Sequence, residues 1–224
     1  MLVYYLVLSS WFFYGLTLKL VFEDRLKPTN YILSILPIIS IFILIAFRDI
    51  SVGTDTAGYL IEYENAAYRF RALEYGYSIL INFLSNIGIT FRGFLSIFSL
   101  LVVFSVASLI RAYSKNLLLS YFIYITFGFF AFPMSGLRQA LALCILIFAF
   151  LALMKNRKLI FLLMVILAST FHFSAWIFLP VILIRNIQIS FASAVLIYLL
   201  CCSLFFFNAQ IINFVTDLLG LRYF

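Results

Sequence analysis

Two arginines at the ends of apolar runs are the residues most suited to bind an anion. Arg48 directly follows one long apolar run, and Arg138, with Gln139 beside it, opens another in PMSGLRQA. Arginine offers a planar fork of donors to phosphate oxygens, and N–H groups at a helix start also point at an anion. Ionisable groups near membrane depth are costly and often functional, so we expect Arg138 to bind a ligand. The alternatives are an ion pair of Arg138 with Asp55 or Glu74, and snorkelling of Arg48 towards water.

Three more stretches concentrate polar side chains. GTDTAGY places Asp55 and Tyr59 one helical turn apart, LEYGY contains Glu74 and Tyr77, and TFHFS contains His172, the only histidine. Taken singly, Asp55 can be a helix cap and His172 can be a partner in an interhelical hydrogen bond. If alternating spans set the sides of a membrane, however, all these stretches lie on one face. Independent structural residues have no reason to share a face, so we expect a functional site there.

The composition indicates that a membrane protein carries these residues. Of 224 residues, 66% are hydrophobic and 10% are charged, and the mean hydropathy is +1.18, whereas soluble domains carry about 25% charged residues. The first apolar run has no basic segment before it and no small-residue cleavage site, so we interpret it as a retained span. The three cysteines lie inside apolar runs, without disulfide or metal-ligand spacing. We expect no metal and no cofactor.

Apolar runs predict an all-α, polytopic transmembrane helical bundle of about eight spans, with seven to nine as the range. The runs are Leu2–Leu18, Tyr31–Phe47, Phe94–Ile110, Leu117–Phe132, Leu137–Met154, Leu159–Ser169, Phe173–Ile184 and Phe191–Phe207. The sixth and seventh runs are short, and we interpret them as a hairpin turning at STFHFS, with Ser169 or Thr170 capping its second helix. Residues 1–224 are expected to form a single transmembrane domain.

The charges on alternate connections predict the orientation. Connections after the first, third, fifth and seventh spans carry nine basic residues and two acids, and the opposite side carries six of each. Basic residues favour the cytoplasm, so the first side is predicted to be cytoplasmic. The N-terminus and all the polar stretches are then external. The net charge of +7 therefore reports membrane topology, and no nucleic acid partner is expected.

Residues 48–92 are predicted to form an external loop with short interfacial helices. Gly53 permits a tight turn, and Thr54 or Asp55 can cap the helix that follows it. The residues that then recur at helical spacing are Tyr59, Tyr63, Ala66, Ala67 and Phe70. This spacing predicts an amphipathic helix on the outer membrane surface after the second span. The apolar segment 77–91 would reverse the charge alternation if it crossed the membrane, so we interpret it as a re-entrant or interfacial helix.

The polar stretches, taken in order, resemble the motifs of a known family. R-x4-G-T-D-x3-Y, E-x-G-Y, RQ-x-x-A and FH-x-S-A make the sequence similar to the EpsG family, membrane proteins grouped with Wzy-type polysaccharide polymerases. The matching residues are Arg48, Gly53, Thr54, Asp55, Tyr59, Glu74, Gly76, Tyr77, Arg138, Gln139, Ala142, Phe171, His172, Ser174 and Ala175. Family members are typically longer, so we interpret this chain as a fragment, a truncated form or a short variant.

The resemblance implies a glycosyltransferase that joins oligosaccharide units carried on undecaprenyl diphosphate. The product would be a surface polysaccharide such as O-antigen, capsule or exopolysaccharide, made at the outer face of the bacterial inner membrane. The implied partners are the lipid-linked oligosaccharides and membrane lipids, together with a flippase and a chain-length regulator.

The implied reaction assigns roles to the polar residues. The departing diphosphate needs positive charge, for which Arg138 and Arg48 are the candidates, with Arg138 preferred. The attacking sugar hydroxyl benefits from a general base, for which both Asp55 and His172 are candidates. A lateral groove between spans must admit the lipid chains. The further residues expected to bind substrate are Tyr59, Glu74, Tyr77 and Gln139.

Two other classes of protein compete with a polymerase. A transporter or flippase of lipid-linked saccharides predicts polar residues through the midplane and broken helices in matched halves, and the sequence lacks both patterns. A non-catalytic membrane subunit of polysaccharide assembly is the second alternative. In that case Arg138 and His172 would serve packing, and their substitution would change stability and not turnover.

Overall fold

The computed structural model describes residues 2–21, 29–66, 74–187 and 190–207, and within them it contains helices and turns without a strand. The helices are α1 (Leu2–Val21), α2 (Thr29–Ala46), α3 (Thr56–Glu64), α4 (Tyr75–Asn86), α5 (Phe91–Tyr113), α6 (Leu117–Thr126), α7 (Phe132–Ser135), α8 (Leu137–Met154), α9 (Lys158–Phe171), a 3-10 helix (Phe173–Phe178), α10 (Val181–Ile184) and α11 (Phe191–Phe206). The all-α prediction is confirmed for this part of the chain.

The first compact unit ends at Ile182 and is organised around α5 and α8. These two helices pack against each other, α2 packs on α5, and α9 packs on α8. Ser99 donates a hydrogen bond of 2.9 Å to the carbonyl of Phe42 and so joins α5 to α2. Such small polar side chains are common contacts between membrane helices. The second compact unit contains α11, which begins after Ser190, whose hydroxyl accepts a hydrogen bond from the Ser193 N–H.

Two of the described helices are long and apolar enough to cross a membrane by length and composition, and they are α5 and α8. Shorter apolar helices include α6, α9, and α11. The total of about eight spans stays a prediction.

The predicted fourth span, Leu117–Phe132, is interrupted. Helix α6 ends at Thr126, and turns over residues 127–131 lead into α7. Gly128 has a φ of +82°, the left-handed conformation that commonly follows a helix end and that glycine adopts at no steric cost. The apolar pattern continues through this turn, and for that reason the sequence predicted one helix.

The predicted hairpin differs in its second half. Instead of one helix over Phe173–Ile184, the 3-10 helix and α10 are separated by a turn that contains Pro180, which lacks the N–H needed inside a helix. The capping prediction is wrong, because the hydroxyls of Ser169 and Thr170 donate to carbonyls of their own helix, α9. His172 itself occupies the extended position between α9 and the 3-10 helix. The 3-10 helix packs on α9 and α8.

The described part of the external loop carries α3 and α4. Asp55 precedes α3 as predicted, but its side chain makes no capping hydrogen bond. Tyr59 and Tyr63 are buried against α4 and α5, and the Tyr63 ring stacks on Phe94 at a centroid distance of 5.3 Å. The face of α3 that carries Tyr59 and Tyr63 therefore packs against protein, and the position of this helix on the outer membrane surface stays a prediction. Ala67 and Phe70 lie outside the described residues.

Helix α4 is too short to be a span. Its 12 residues extend about 18 Å at 1.5 Å per residue, whereas the hydrocarbon core of a bilayer is about 30 Å thick. A position at the membrane interface remains a prediction for this segment.

Candidate functional site

A carboxylate joins an arginine and a histidine from three separate segments at one end of the first unit. Arg138 Nη1 donates to Glu74 Oε2 at 2.5 Å, and His172 Nδ1 lies 3.0 Å from Glu74 Oε1. Glu74 directly precedes α4, Arg138 is the second residue of α8, and His172 follows α9. With Glu62, whose Oε1 lies 3.9 Å from Arg138 Nη2, these residues form what we call the Glu74 cluster.

Two tyrosines enclose the arginine of the Glu74 cluster. The guanidinium carbon of Arg138 lies 5.8 Å from the ring centroids of both Tyr59 and Tyr77, a distance at which a cation is attracted to an aromatic face. The two rings contact each other edge to face at 6.2 Å. Tyr77 is fully buried, and this burial raises the pKa of its hydroxyl above the ordinary value. Arg138 is thus held in one position by charge and by packing.

A glycine allows Glu74 to reach the histidine. A Cβ atom built on Gly76 would overlap the Thr170 hydroxyl and lie 3.1 Å from the Thr170 carbonyl carbon. The start of α4 can therefore approach the end of α9 only with glycine at this position. This close approach explains the spacing of the EYGY segment, because it places Glu74 beside His172.

Electrostatics keeps Glu74 ionised. Burial alone would raise its pKa, but a backbone hydrogen bond, hydrogen bonds from Arg138 and His172, and the charge of Arg138 lower the pKa below its ordinary value. The Glu74 side chain is 27% exposed and the His172 side chain is 32% exposed, so both can be reached from outside. Two carboxylates face one guanidinium, which means that the charge of Arg138 is already balanced. The geometry favours the ion pair with Glu74 that the sequence left open as an alternative.

Arg48 has the opposite environment. It is 5% exposed, and its three guanidinium nitrogens have no hydrogen-bond partner within the described ranges. Burial and the nearby charge of Arg92 lower its pKa to about 10. Arg92 Nη1 donates to the Arg48 carbonyl at 2.6 Å and to the Ala46 carbonyl at 3.3 Å, which fixes the end of α2 against α5. A buried charge without a partner is unfavourable, so Arg48 is the position at which a bound anion would gain most.

The segment after Arg48, residues 49–56, packs closely on the chain that leads into α8. Gly53 has a φ of +92°, and a Cβ built there would overlap the Met134 carbonyl oxygen and lie 2.8 Å from its carbon. The hydroxyl of Thr56 is within 2.7 Å of the Val52 carbonyl oxygen and 3.2 Å of the Met134 carbonyl oxygen. These contacts explain why the GTDT segment needs glycine and a hydroxyl.

Five of the residues predicted for the site contact one another in or around the Glu74 cluster, and three lie apart from it. The structure brings together Tyr59, Glu74, Tyr77, Arg138 and His172. No described contact joins Arg48, Asp55 or Gln139 to the Glu74 cluster, and both Asp55 and Gln139 are exposed. Sequence reasoning missed Glu62 as a site residue. Its position three residues after Tyr59, and so on a neighbouring part of the same helix surface, was the available signal.

An open cavity of about 860 Å³, which we call the apolar groove, lies between α5, α6, α8 and the 3-10 helix. Most of its lining is aliphatic or aromatic, and Gln139 and Ser174 lie among its polar residues. Gln139 therefore contributes to this groove and not to the Glu74 cluster.

The fold and the site together define a helical membrane protein with a half-buried charged cluster at one end of its first unit. Among known families, the EpsG family model matches residues 31–224, which is most of the sequence, and the chain belongs to the EpsG family. The resemblance in the sequence motifs is thereby confirmed, and the chain is a membrane protein of polysaccharide biosynthesis. No curated protein and no solved structure matches it.

Proposed function

We propose that this chain is a polymerase, a glycosyltransferase that joins oligosaccharide units carried on a lipid diphosphate into a surface polysaccharide. It would act as a multi-pass protein of the inner membrane, with the Glu74 cluster and the N-terminus at the outer face. One observation carries the proposal: Glu74 bridges Arg138 and His172 in a half-buried cluster at the end of an apolar bundle. Family membership supports the same chemistry.

His172 is the proposed general base. A carboxylate that accepts a hydrogen bond from Nδ1–H leaves Nε2 free to take a proton, and Glu74 is placed to accept that bond. In the reaction, the hydroxyl oxygen of the acceptor sugar attacks the anomeric carbon of the donor. The bond from that carbon to the diphosphate breaks, the lipid diphosphate leaves, and the hydroxyl proton goes to His172. Asp55 is exposed and stands apart from the described contacts of the cluster, so we prefer His172 as the base.

Of the two arginines, Arg48 is the stronger candidate to offset the charge of the leaving diphosphate. The charge of Arg138 is shared with Glu74 and Glu62, and its main role is to hold Glu74 in position. Arg48 faces no such carboxylate in its described contacts. Since transition-state charge is best stabilised by a preorganised donor whose charge is not already neutralised, the structure favours reversing the preference for Arg138 predicted from sequence.

The decisive experiment substitutes the two candidate bases separately. In cells whose polysaccharide depends on this gene, His172→Ala should collapse the polymer ladder to a single repeat unit at a normal membrane level of the protein. Loss of a general base lowers a rate by about 10²–10⁴. Asp55→Asn should leave the ladder intact, and Glu64→Gln, an exposed carboxylate on α3, is the matched control. An intact ladder in His172→Ala would contradict the assignment.

The same strains distinguish the competing classes. A polymerase defect should leave single lipid-linked units at the outer face, where an externally added glycosidase can reach them. Accumulation at the inner face would instead indicate a flippase. A fall in the membrane level of the protein, with the ladder reduced in proportion, would indicate a non-catalytic subunit whose His172 serves packing.

A further inference from the structure

The apolar groove runs from the level of the Glu74 cluster towards the opposite side of the membrane. The Tyr77 ring contacts both Phe94 on α5 and Arg138 on α8, so these two residues mark the same level. The α5 wall of the groove extends from Val102 to Ile110, which is about 12 to 24 Å below Phe94 at 1.5 Å per residue. The groove therefore covers most of the depth of a hydrocarbon core about 30 Å thick.

The short helix α6 and the turn after it bound the groove on one side. Helix α6 ends at Thr126, and the turn that contains Gly128 and the following residues Phe132 and Pro133 line the groove above it. The walls on the other side are α5 and α8, the two helices that are long and apolar enough to cross a membrane.

The groove is apolar along most of its length and ends beside the Glu74 cluster. Its lower walls include Val106 and Leu109 on α5, with the hydroxyls of Ser105 and Ser120 among them. Its upper end contains Gln139 and Ser174, which neighbour Arg138 and follow His172 closely in the sequence. A ligand that fits a mostly apolar groove with this end has a long apolar chain and a polar head placed near the Glu74 cluster.

We propose that the apolar groove binds the isoprenoid tail of the lipid carrier, with the head of the lipid directed towards the end of the groove beside the Glu74 cluster. This inference rests on the proposed function, because that function supplies a substrate with a diphosphate head and a polyprenyl tail. The groove would then hold the anomeric carbon near His172 while the tail stays in the hydrocarbon layer. Binding of the tail by walls that cross the membrane explains how a long lipid is oriented before reaction.

Photolabelling of the full chain tests this assignment without requiring turnover. The probe is a diazirine-bearing polyprenyl diphosphate without sugar, added to the purified protein in nanodiscs of phosphatidylethanolamine and phosphatidylglycerol. Labelled peptides identified by mass spectrometry should come from the facing walls of α5, α6 and α8. Unlabelled polyprenyl diphosphate should compete, and added phosphatidylglycerol should not.

Substitutions that fill the groove provide the control. Leu143 lines the groove and is 45% exposed, so Leu143→Trp adds volume there and should remove most of the labelling. Val106→Trp on the opposite wall should act in the same way. Leu163 on α9 is 58% exposed and lies outside the groove, so Leu163→Trp should label like the unchanged protein.

The outcomes separate this inference from the proposed function. The groove of the His172→Ala variant should be photolabelled to the normal extent even when the polymer ladder is lost. Groove labelling in a chain whose ladder survives His172→Ala would support the groove and contradict the catalytic assignment. Labelling spread over all exposed helices, competition by phosphatidylglycerol, insensitivity to Leu143→Trp or absence of labelling would each overturn the groove assignment. Absent labelling would mean that another segment or partner covers the groove.

Discussion

Arg48 and Arg138 are placed at the same end of the first unit, and their surroundings are opposite. Arg138 contacts Glu74 and approaches Glu62 while remaining 28% exposed along its side chain. Arg48 is more deeply buried and has no hydrogen-bond partner for its guanidinium within the described ranges. The same residue type therefore has two physical roles. One arginine organises a carboxylate and a histidine, and the other keeps a buried charge that no hydrogen-bond partner balances among the described residues.

The two regions are also held in place differently. The Glu74 cluster depends on charge pairs between three segments, whereas the Arg48 segment is fixed by backbone packing on Met134 and by the hydrogen bonds of Arg92. A buried charge without compensation weakens a fold unless something else offsets its cost. The packing of Gly53 and Thr56, together with the hydrogen bonds of Arg92, holds this segment in place. Substitutions in the Arg48 segment should therefore act through backbone packing, whereas substitutions in the Glu74 cluster should act through charge.

The largest expected effect on stability comes from Gly53→Ala. Alanine at a φ of +92° is strained, and its Cβ would overlap the Met134 carbonyl, so the cost should be about 2–5 kcal/mol. Thermal unfolding in detergent, followed by the loss of the monodisperse peak in size-exclusion chromatography, measures the change.

Gly58→Ala is the matched control for this prediction. Gly58 lies inside α3, and a Cβ there has open space around it. Alanine should therefore stabilise this helix by about 0.5–1 kcal/mol. Equal thermal stability of the two variants would contradict the close packing of the Arg48 segment on Met134.

The sequence was sufficient to pick out segments that the structure brings together in the Glu74 cluster, but it did not predict how they pair. The helical spacing of Tyr59 and Tyr63 and the position of Arg138 at a helix start were readable from local patterns. The partners of Arg138 and His172 were not, because Glu74 lies 64 residues from one and 98 from the other. The approach of α4 to α9 at Gly76 brings Glu74 beside His172, and the packing of α9 on α8 brings Arg138 to the same place. Apolar periodicity likewise could not show where α6 ends, because the turn residues Phe127 and Phe129 are as apolar as the residues of the helix itself.

Replacing each arginine by methionine compares the two environments directly. Arg138→Met leaves Glu74 without its charged donor and should cost about 2 kcal/mol, as expected for a hydrogen bond to a charged group. Arg48→Met removes a buried charge that has no described partner, and it should be neutral or stabilising. Both variants are measured by thermal unfolding in the same detergent.

Polymerisation activity, measured together with the melting temperature, distinguishes the roles of the two arginines more sharply than stability alone. If Arg48 binds the diphosphate, Arg48→Met should lose the polymer ladder while keeping or raising its melting temperature. Arg138→Met should lose both. A strongly destabilised Arg48→Met would mean that the guanidinium contributes to folding, and the contrast between the two arginines would then be wrong.

The smallest expected effect is the part of the dependence of stability on acidic pH that comes from Glu74. Hydrogen bonds and the charge of Arg138 lower the pKa of Glu74 in the folded protein below its ordinary value. A carboxylate with a lowered folded pKa contributes stability that is fully present above the ordinary glutamate value of about 4.3. That contribution is lost as the pH falls from there through the folded pKa, so the melting temperature should drop over this acidic range.

Glu74→Gln should lack this component, whereas Glu64→Gln and Arg48→Met should retain it, because neither change touches the pairing of Glu74. If Arg48→Met removed the acidic drop as completely as Glu74→Gln, the two arginines would share one electrostatic network and could not be treated as separate sites.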